Sequence, residues 1–370
     1  MIPIQEITLH KLQMKLKHPF NTSFGTVQNK EFFIIEAKNQ AGDIGYGESV
    51  AFTSPWYTEE TTKTTEHMLT DFLIPLLKAN PPKHPEDVHE IFSGIRRNNM
   101  AKAGLEMALW DLFAKERRSS LASLLGGKRK HIDVGMSIGM QATNEELIQK
   151  IKEAKEQGFK RIKLKIAPGN DLELLAKVRE AFPDLPLMAD ANSAYSLADI
   201  DHLKQLDQFN LMMIEQPLQH DDVVDHARLQ ERIETPICLD ESIHSLEDVK
   251  RAHSLGSCQV INVKAGRVGG LTEAKNIHDF CVENKLDLWC GGMLEAGVGR
   301  AHNIALTALT GFNLPGDTAG SLHYWHEDII KPNVVVQDGQ IAVTEDPGIG
   351  YTVDRAKLEK YRIKKERFHF

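Results

Sequence analysis

From about residue 131 to residue 324, short apolar runs alternate with helical stretches, and this rhythm narrows the choice of fold more than any other feature. The runs are IDVGMSIG, RIKLKI, LPLMAD, NLMMIE, TPICLD, CQVINVK and LDLWCGG. Between them, segments such as DLELLAKVREAF and GLTEAKNIHDFCVENK carry helical spacing. Repeated strand–helix units imply a parallel sheet, and this many in sequence suggest a (β/α) barrel, with an open doubly wound sheet as the alternative. Parallel strands are covered on both faces. In RIKLKI, therefore, Ile162, Leu164 and Ile166 are expected to pack outward on helices while Lys163 and Lys165 point inward.

Three of the runs end in an acid: Asp190, Glu215 and Asp240, each 25 residues from the next. One acid after a strand is most simply a helix cap or a surface group. Three at equivalent strand ends face one another at the end of a barrel where active sites are built. Converging carboxylates repel unless a cation neutralises them. Oxygen-only ligands suit magnesium, with manganese as a substitute, and the lack of His or Cys argues against zinc. If IDVGMSIG is strand one, Lys163 and Lys165 lie on strand two and Lys264 closes strand six. In an eight-stranded barrel those strands face each other across the mouth. Crowding by a second cation and partial desolvation are expected to make the amine of Lys165 a usable base.

The flanks read differently. Residues 1–130 open with the β patterns ITLHKLQMKL and FFIIEAKN; then Leu105, Ala108, Leu109, Leu112 and Phe113 mark an amphipathic helix. Residues 325–370 contain VVVQDGQIAV, read as a strand pair around Asp338-Gly339, and a basic tail. No long linker separates the zones, so the ends are expected to fold together around the barrel's mouth. Formal charge is −8, and no basic block is interleaved with aromatics, which argues against nucleic acid as a partner. No apolar run approaches the ~18 residues of a membrane span. The first stretch alternates, lacking the apolar core of a signal peptide. Cys238, Cys258, Cys281 and Cys290 have no CxxC spacing and read as reduced, buried thiols. A cytoplasmic protein is the expectation. GRVGG at 266–270 lacks dinucleotide-binding spacing, and no HExxH is present.

The ordered set KxK, DAN, IEQP, LDES, NVKAGRVGG and GGMLE resembles the enolase superfamily, in its muconate-lactonising branch. PFNTSFGT, GYGES, MAKAGLEMALWD and LPGD extend the likeness over most of the chain, closest to the o-succinylbenzoate synthase / N-succinylamino acid racemase family. The resemblance implies a modified (β/α)7β TIM-like barrel over 131–324. An α+β capping domain would be formed by residues 1–130 and completed by 325–370. It assigns Asp190, Glu215 and Asp240 to magnesium, Lys165 as base and Lys264 as its partner across the site, with Lys163 holding and polarising substrate. It implies dehydration of 2-succinyl-6-hydroxy-2,4-cyclohexadiene-1-carboxylate through an enediolate, in menaquinone synthesis. N-acylamino acid racemisation is the alternative, or a second activity of one site, and a silent carboxylate-binding barrel a remote third. Asn192 and Glu241 are candidates to orient the ligands or to cap helices. Ser137, Met293, Arg267, Phe20, Phe24 and Trp56 are candidates for substrate contact, with ordinary packing or, for Arg267, a partnership with Glu241 as the plain alternatives. Assembly as a homo-oligomer is expected.

Overall fold

The structure is a computed structural model describing residues 2–22, 25–141 and 143–370. Strands β1 (Ile4–Thr22), β2 (Gly25–Asn39) and β3 (Ile44–Ser49) form an antiparallel sheet. The basic tail is its fourth strand: Arg362–His369 pairs with β1, bringing both ends of the chain into one sheet. Lys364, Lys365 and Arg367 are exposed along it, as suits an edge strand.

The helix expected around residue 105 runs Asn99–Glu116 but is not amphipathic: nearly every residue from Met100 to Ala114 is buried. One side, with Leu105, Ala108, Leu109, Leu112 and Phe113, packs on Ile7, Leu9, Phe33 and Ile35 of the sheet. The other side, with Met100, Ala103, Met107 and Trp110, joins the core of the barrel. A helix buried all round is one enclosed by protein, and this one is the filling between two layers. Strand β3 lies so close that a Cβ on Gly47 would stand 2.0 Å from the Gly104 carbonyl oxygen, so only glycine fits.

The run IDVGMSIG splits. β4 (His131–Asp133) pairs antiparallel with Gln340–Ala342, whereas β5 (Met136–Ile138) starts the barrel. This corrects the expected strand pair at 334–343. The turn forms, with Asp338 at φ 49°, Gly339 at φ 68° and one antiparallel bridge between Gln337 and Gln340, but beyond that bridge residues 340–342 ladder with β4.

After β5 come β6 (Ile162–Lys165), β7 (Leu187–Asp190), β8 (Ile214–Glu215), β9 (Ile237–Leu239), β10 (Val260–Val263) and β11 (Asp287–Cys290). They form one parallel sheet in chain order, which excludes the doubly wound alternative. The eighth place is held by the segment LPGD. Leu314 and Asp317 donate to Leu288 O and Cys290 O on β11, Gly135 donates to Gly316 O, and Val134 bridges Gly316. The ring is thereby closed.

Parity along the strands decides which side chains enter the barrel. Ile162, Leu164, Ala189, Ile214, Ile237 and Leu239 join the outer core under the helices. Met188, Met213, Cys238, Val260 and Trp289 fill the interior as a separate cluster. One strand step above that layer stand the charged residues.

Two buried carboxylates tie the layers together. Glu48, next to last in β3, accepts from the N–H groups of Ala296 and Gly299, capping the helix Gly297–Thr307. Glu106, on the long helix, accepts from Leu271 and Thr272 and caps Leu271–Asn284. Such caps contribute about 0.5–2 kcal/mol each. Burial pushes both carboxyls up to about 7.

Candidate active site

The lysines of β6 do point inward. Lys163, 6 % exposed, sits above Trp289 with its Nζ 5.0 Å from the ring and reaches Glu215 at 3.0 Å, Asp190 at 3.3 Å and Asp317 at 2.8 Å. Burial alone would neutralise an ammonium here, but the three carboxylates outweigh it and hold its pKa well above the usual lysine value. Lys165, one step nearer the mouth, bonds Asp190 at 2.6 Å and the side-chain oxygen of Asn192. Its amine is thus engaged by a carboxylate, not simply crowded by a cation as expected from the sequence.

Register explains the convergence. Lys165 is level with Asp190, and Asp190 with Glu215. Glu215 is level with Cys238, so Asp240 rises two residues higher on the same face. Beyond it, Lys264 follows β10 and donates to Asp240 at 2.7 Å and to the Tyr57 hydroxyl at 2.9 Å. Lys163 and Lys165 thus stand on one side of the acids and Lys264 on the other. A Cβ on Gly291 would lie 2.7 Å from Lys264 Cε and 2.3 Å from Asn262 Oδ1, so that glycine makes room for both.

The carboxylates are unequally held. Burial would raise all of them. Lys165 and Lys163 keep Asp190 below its usual range, and Lys264 and Arg267 do the same for Asp240. Glu215 bonds Asn262 at 2.7 Å and Lys163, yet burial and the charges of Asp190 and Asp240 push it up to about 8. Glu241 is raised to about 7 by burial and by Asp240, and its Oε2 is buried without a partner. Among the described residues no three His, Cys, Asp or Glu side chains stand in metal-ligating geometry; ammonium and guanidinium groups engage the acids directly. The donor set nevertheless fits a hard dication: Asp190, Glu215 and Asp240 offer only oxygen, and the raised pKa of Glu215 shows that the neighbouring ammonium groups do not fully offset the cost of ionising it there.

Asn192 and Glu241 do not cap helices; the capping side chains are Ser196 and Ser245. Instead they bond each other at 3.0 Å, linking Lys165 to the Asp240 strand end. Asn192 and Ser193 both have left-handed backbone, φ 41° and 63°, a conformation costing non-glycine residues about 1–3 kcal/mol.

Of the other candidates, Arg267 is buried and spends its donors on Asp240, Tyr57, Ile243 O and Asn262 O, with no hydrogen bond to Glu241. Ser137 donates to Asp317 at 3.0 Å and lines a small cleft on the Lys163 side with His323 and Tyr324. Met293 is buried; its carbonyl accepts from Lys30 at 2.7 Å. Phe20 stands 6.2 Å from Trp56, which meets Tyr57 edge to face at 5.8 Å, an aromatic path from β1 to Lys264. Phe24 lies outside the described residues. Tyr57, Asp317 and Asn262 were not singled out from the sequence. Asp317 belongs to LPGD, and Asn262 shares the inward parity of Lys264, so both carried a signal; Tyr57 carried none beyond adjacency to Trp56.

The family models for the mandelate racemase / muconate lactonizing enzyme N-terminal domain and the enolase C-terminal domain match residues 4–126 and 146–357. An o-succinylbenzoate synthase of Geobacillus stearothermophilus is 58% identical over 368 residues, covering 100% of this chain and 98% of its own length. An N-succinylamino acid racemase of Thermus thermophilus is 45% identical, covering 97% of each chain. The crystal structure of an enolase superfamily member from Listeria innocua superposes with a TM-score of 0.97 at 47% identity, over 99% of each chain. No described helix is long and apolar enough to cross a membrane.

Proposed function

The chain belongs to the mandelate racemase / muconate lactonizing enzyme family of the enolase superfamily, and we propose from that premise that it acts as an o-succinylbenzoate synthase. The reaction is loss of water from 2-succinyl-6-hydroxy-2,4-cyclohexadiene-1-carboxylate to give 2-succinylbenzoate, within menaquinone synthesis. One observation carries the mechanistic reading: amines stand on both sides of a row of strand-end carboxylates, Lys165 at Asp190 and Lys264 at Asp240.

Taking a proton α to a carboxylate concentrates two negative charges on one fragment. Asp190, Glu215 and Asp240 would hold a divalent ion, magnesium by its preference for oxygen, whose charge would lower the cost of that enediolate. Lys165 is the base, since its side chain is 34 % exposed and reaches the mouth. It removes the α-proton and returns it to the departing hydroxide on the same face, and aromatisation drives the loss. Lys163, fixed as an ammonium by Asp317, Glu215 and Asp190, polarises the substrate carboxylate. Lys264 is an ammonium whose pKa is raised, Asp240 and Tyr57 outweighing burial, and it stabilises the intermediate from the far face.

Racemisation of N-succinylamino acids is a second reading, favoured by the 45% identical racemase of Thermus thermophilus. It uses the same two lysines, with Lys264 donating to the opposite face. Steady-state kcat/KM for both substrate classes, on one preparation, tests the ranking: a large preference for N-succinylamino acids reverses it. Loss of both reactions on EDTA treatment, restored by Mg²⁺, is the expected metal response.

A further inference from the structure

We propose that Gln216 is a positioning residue that sets the spacing among Asp190, Glu215 and Asp240, and with it the site's discrimination between small and large divalent cations. The inference rests on the metal reading above. Gln216 follows Glu215 directly, is fully buried, and has left-handed backbone at φ 39°. It is bonded to all three segments that carry the acids. Its N–H donates to Cys238 O at 2.8 Å, and its carbonyl accepts from Ser193 N–H at 2.8 Å. Its side-chain Oε1 accepts from the N–H of Asp240 itself at 3.0 Å and from Ser242 N–H at 3.4 Å. Its Nε2 donates to Ser242 Oγ at 2.7 Å, Gln219 O at 3.1 Å and Leu218 O at 3.4 Å.

β8 is two residues long, too short for ladder bonds alone to fix its end against β7 and β9. Past the last ladder pair, the Gln216 amide takes over that task, and it does so at the backbone of Asp240. The left-handed conformation turns the side chain of residue 216 toward β9 while Glu215 keeps its inward parity. Mg²⁺ demands near-ideal octahedral ligands at about 2.0–2.1 Å, whereas Ca²⁺ accepts flexible geometry at about 2.3–2.6 Å. Loosening the Asp240 strand end should therefore cost Mg²⁺ much more than Ca²⁺.

The test is Gln216→Asn, which favours left-handed backbone but is one methylene too short to reach Asp240 N–H. The full chain is titrated calorimetrically with MgCl₂ and with CaCl₂, alongside circular dichroism and Tm. The expected result is about a tenfold loss of Mg²⁺ affinity, less than threefold for Ca²⁺, and hence a fall in the Mg²⁺/Ca²⁺ ratio. A folded variant with the wild-type ratio overturns the proposal, because a merely structural role lowers Tm without moving that ratio. Should Gln216→Asn not fold, Gln216→Met, equal in length but without the amide, is read by the same criterion. If the wild type binds no Mg²⁺, or Asp240→Asn binds it as tightly as the wild type, the metal reading itself fails and takes this inference with it. Intact wild-type binding with indifferent Gln216 variants removes only the latter.

Discussion

The two sides of the barrel mouth hold the same residue type in opposite circumstances. On the β6 side, the Lys165 side chain is 34 % exposed and bonds Asp190 and Asn192. On the β10 side, the Lys264 side chain is 9 % exposed and lies between Asp240 and Tyr57, its Nζ 4.7 Å from the Tyr57 ring, with Arg267 joining the same two groups. Two lysines facing one substrate are thus not interchangeable. Both bond a carboxylate, but the accessible amine can gain and lose a proton in dehydration, whereas the enclosed ammonium is better suited to remain charged through that reaction.

The strongest test of this asymmetry is Lys165→Ala. Dehydration and racemisation should both fall about 10³- to 10⁴-fold with circular dichroism unchanged, since positioned bases contribute on that order. Appreciable residual dehydration would take Lys165 out of the role of base. Lys264→Ala should split the reactions. Racemisation falls as far as in the first variant, but dehydration only about 10²-fold, the scale of one lost electrostatic contact. Equal losses would mean that both lysines move protons in both reactions.

Tyr57→Phe is subtler. It removes the hydroxyl that accepts from Lys264 and Arg267, and kcat should drop about three- to tenfold, the worth of one hydrogen bond. The drop should be greater for racemisation than for dehydration; the reverse order would contradict the assignment of Lys264.

The smallest expected effect is a control outside the mouth. Glu36 is held by His10 and Arg355; burial would raise its pKa, but their hydrogen bonds lower it from the usual 4.5 to about 2. A depressed acid stabilises the fold above pH 4.5 and loses that contribution as pH falls toward 2. Glu36→Gln should lower stability by about 1–2 kcal/mol at pH 7, with allowance for the half-exposed Arg355, and the gap in Tm should narrow below pH 4.5. Both kcat values should stay unmoved; a change in either would show that general destabilisation reaches the mouth.

The barrel was legible because its signal is local. Inward parity at 163, 165, 190, 215, 240 and 264 follows from alternation within each strand, and a 25-residue repeat aligns the acids. The capping layer was harder to read, since its contacts join distant parts of the chain. Apolar spacing around Leu105 showed one buried side of the long helix, while Met100, Met107 and Trp110 pack on the other. Asp338-Gly339 correctly marked a turn, yet the ladder partner of residues 340–342 lies two hundred residues upstream, at β4. Tyr57 meets Asp240 and Lys264 only through tertiary folding, and no neighbouring residue announces it. Asp317 was within a quoted motif, but its role depends on LPGD standing in as the eighth strand.

Glu48 and Glu106 have a consequence for protein engineering. Each belongs to the cap by sequence and to a barrel helix by bonding, so neither part is a portable module. A chimaera that grafts a foreign cap onto this barrel, without acids at both points, would leave the starts of two helices bare at the rim where substrate enters. Swapping caps to change specificity must therefore carry those two glutamates along.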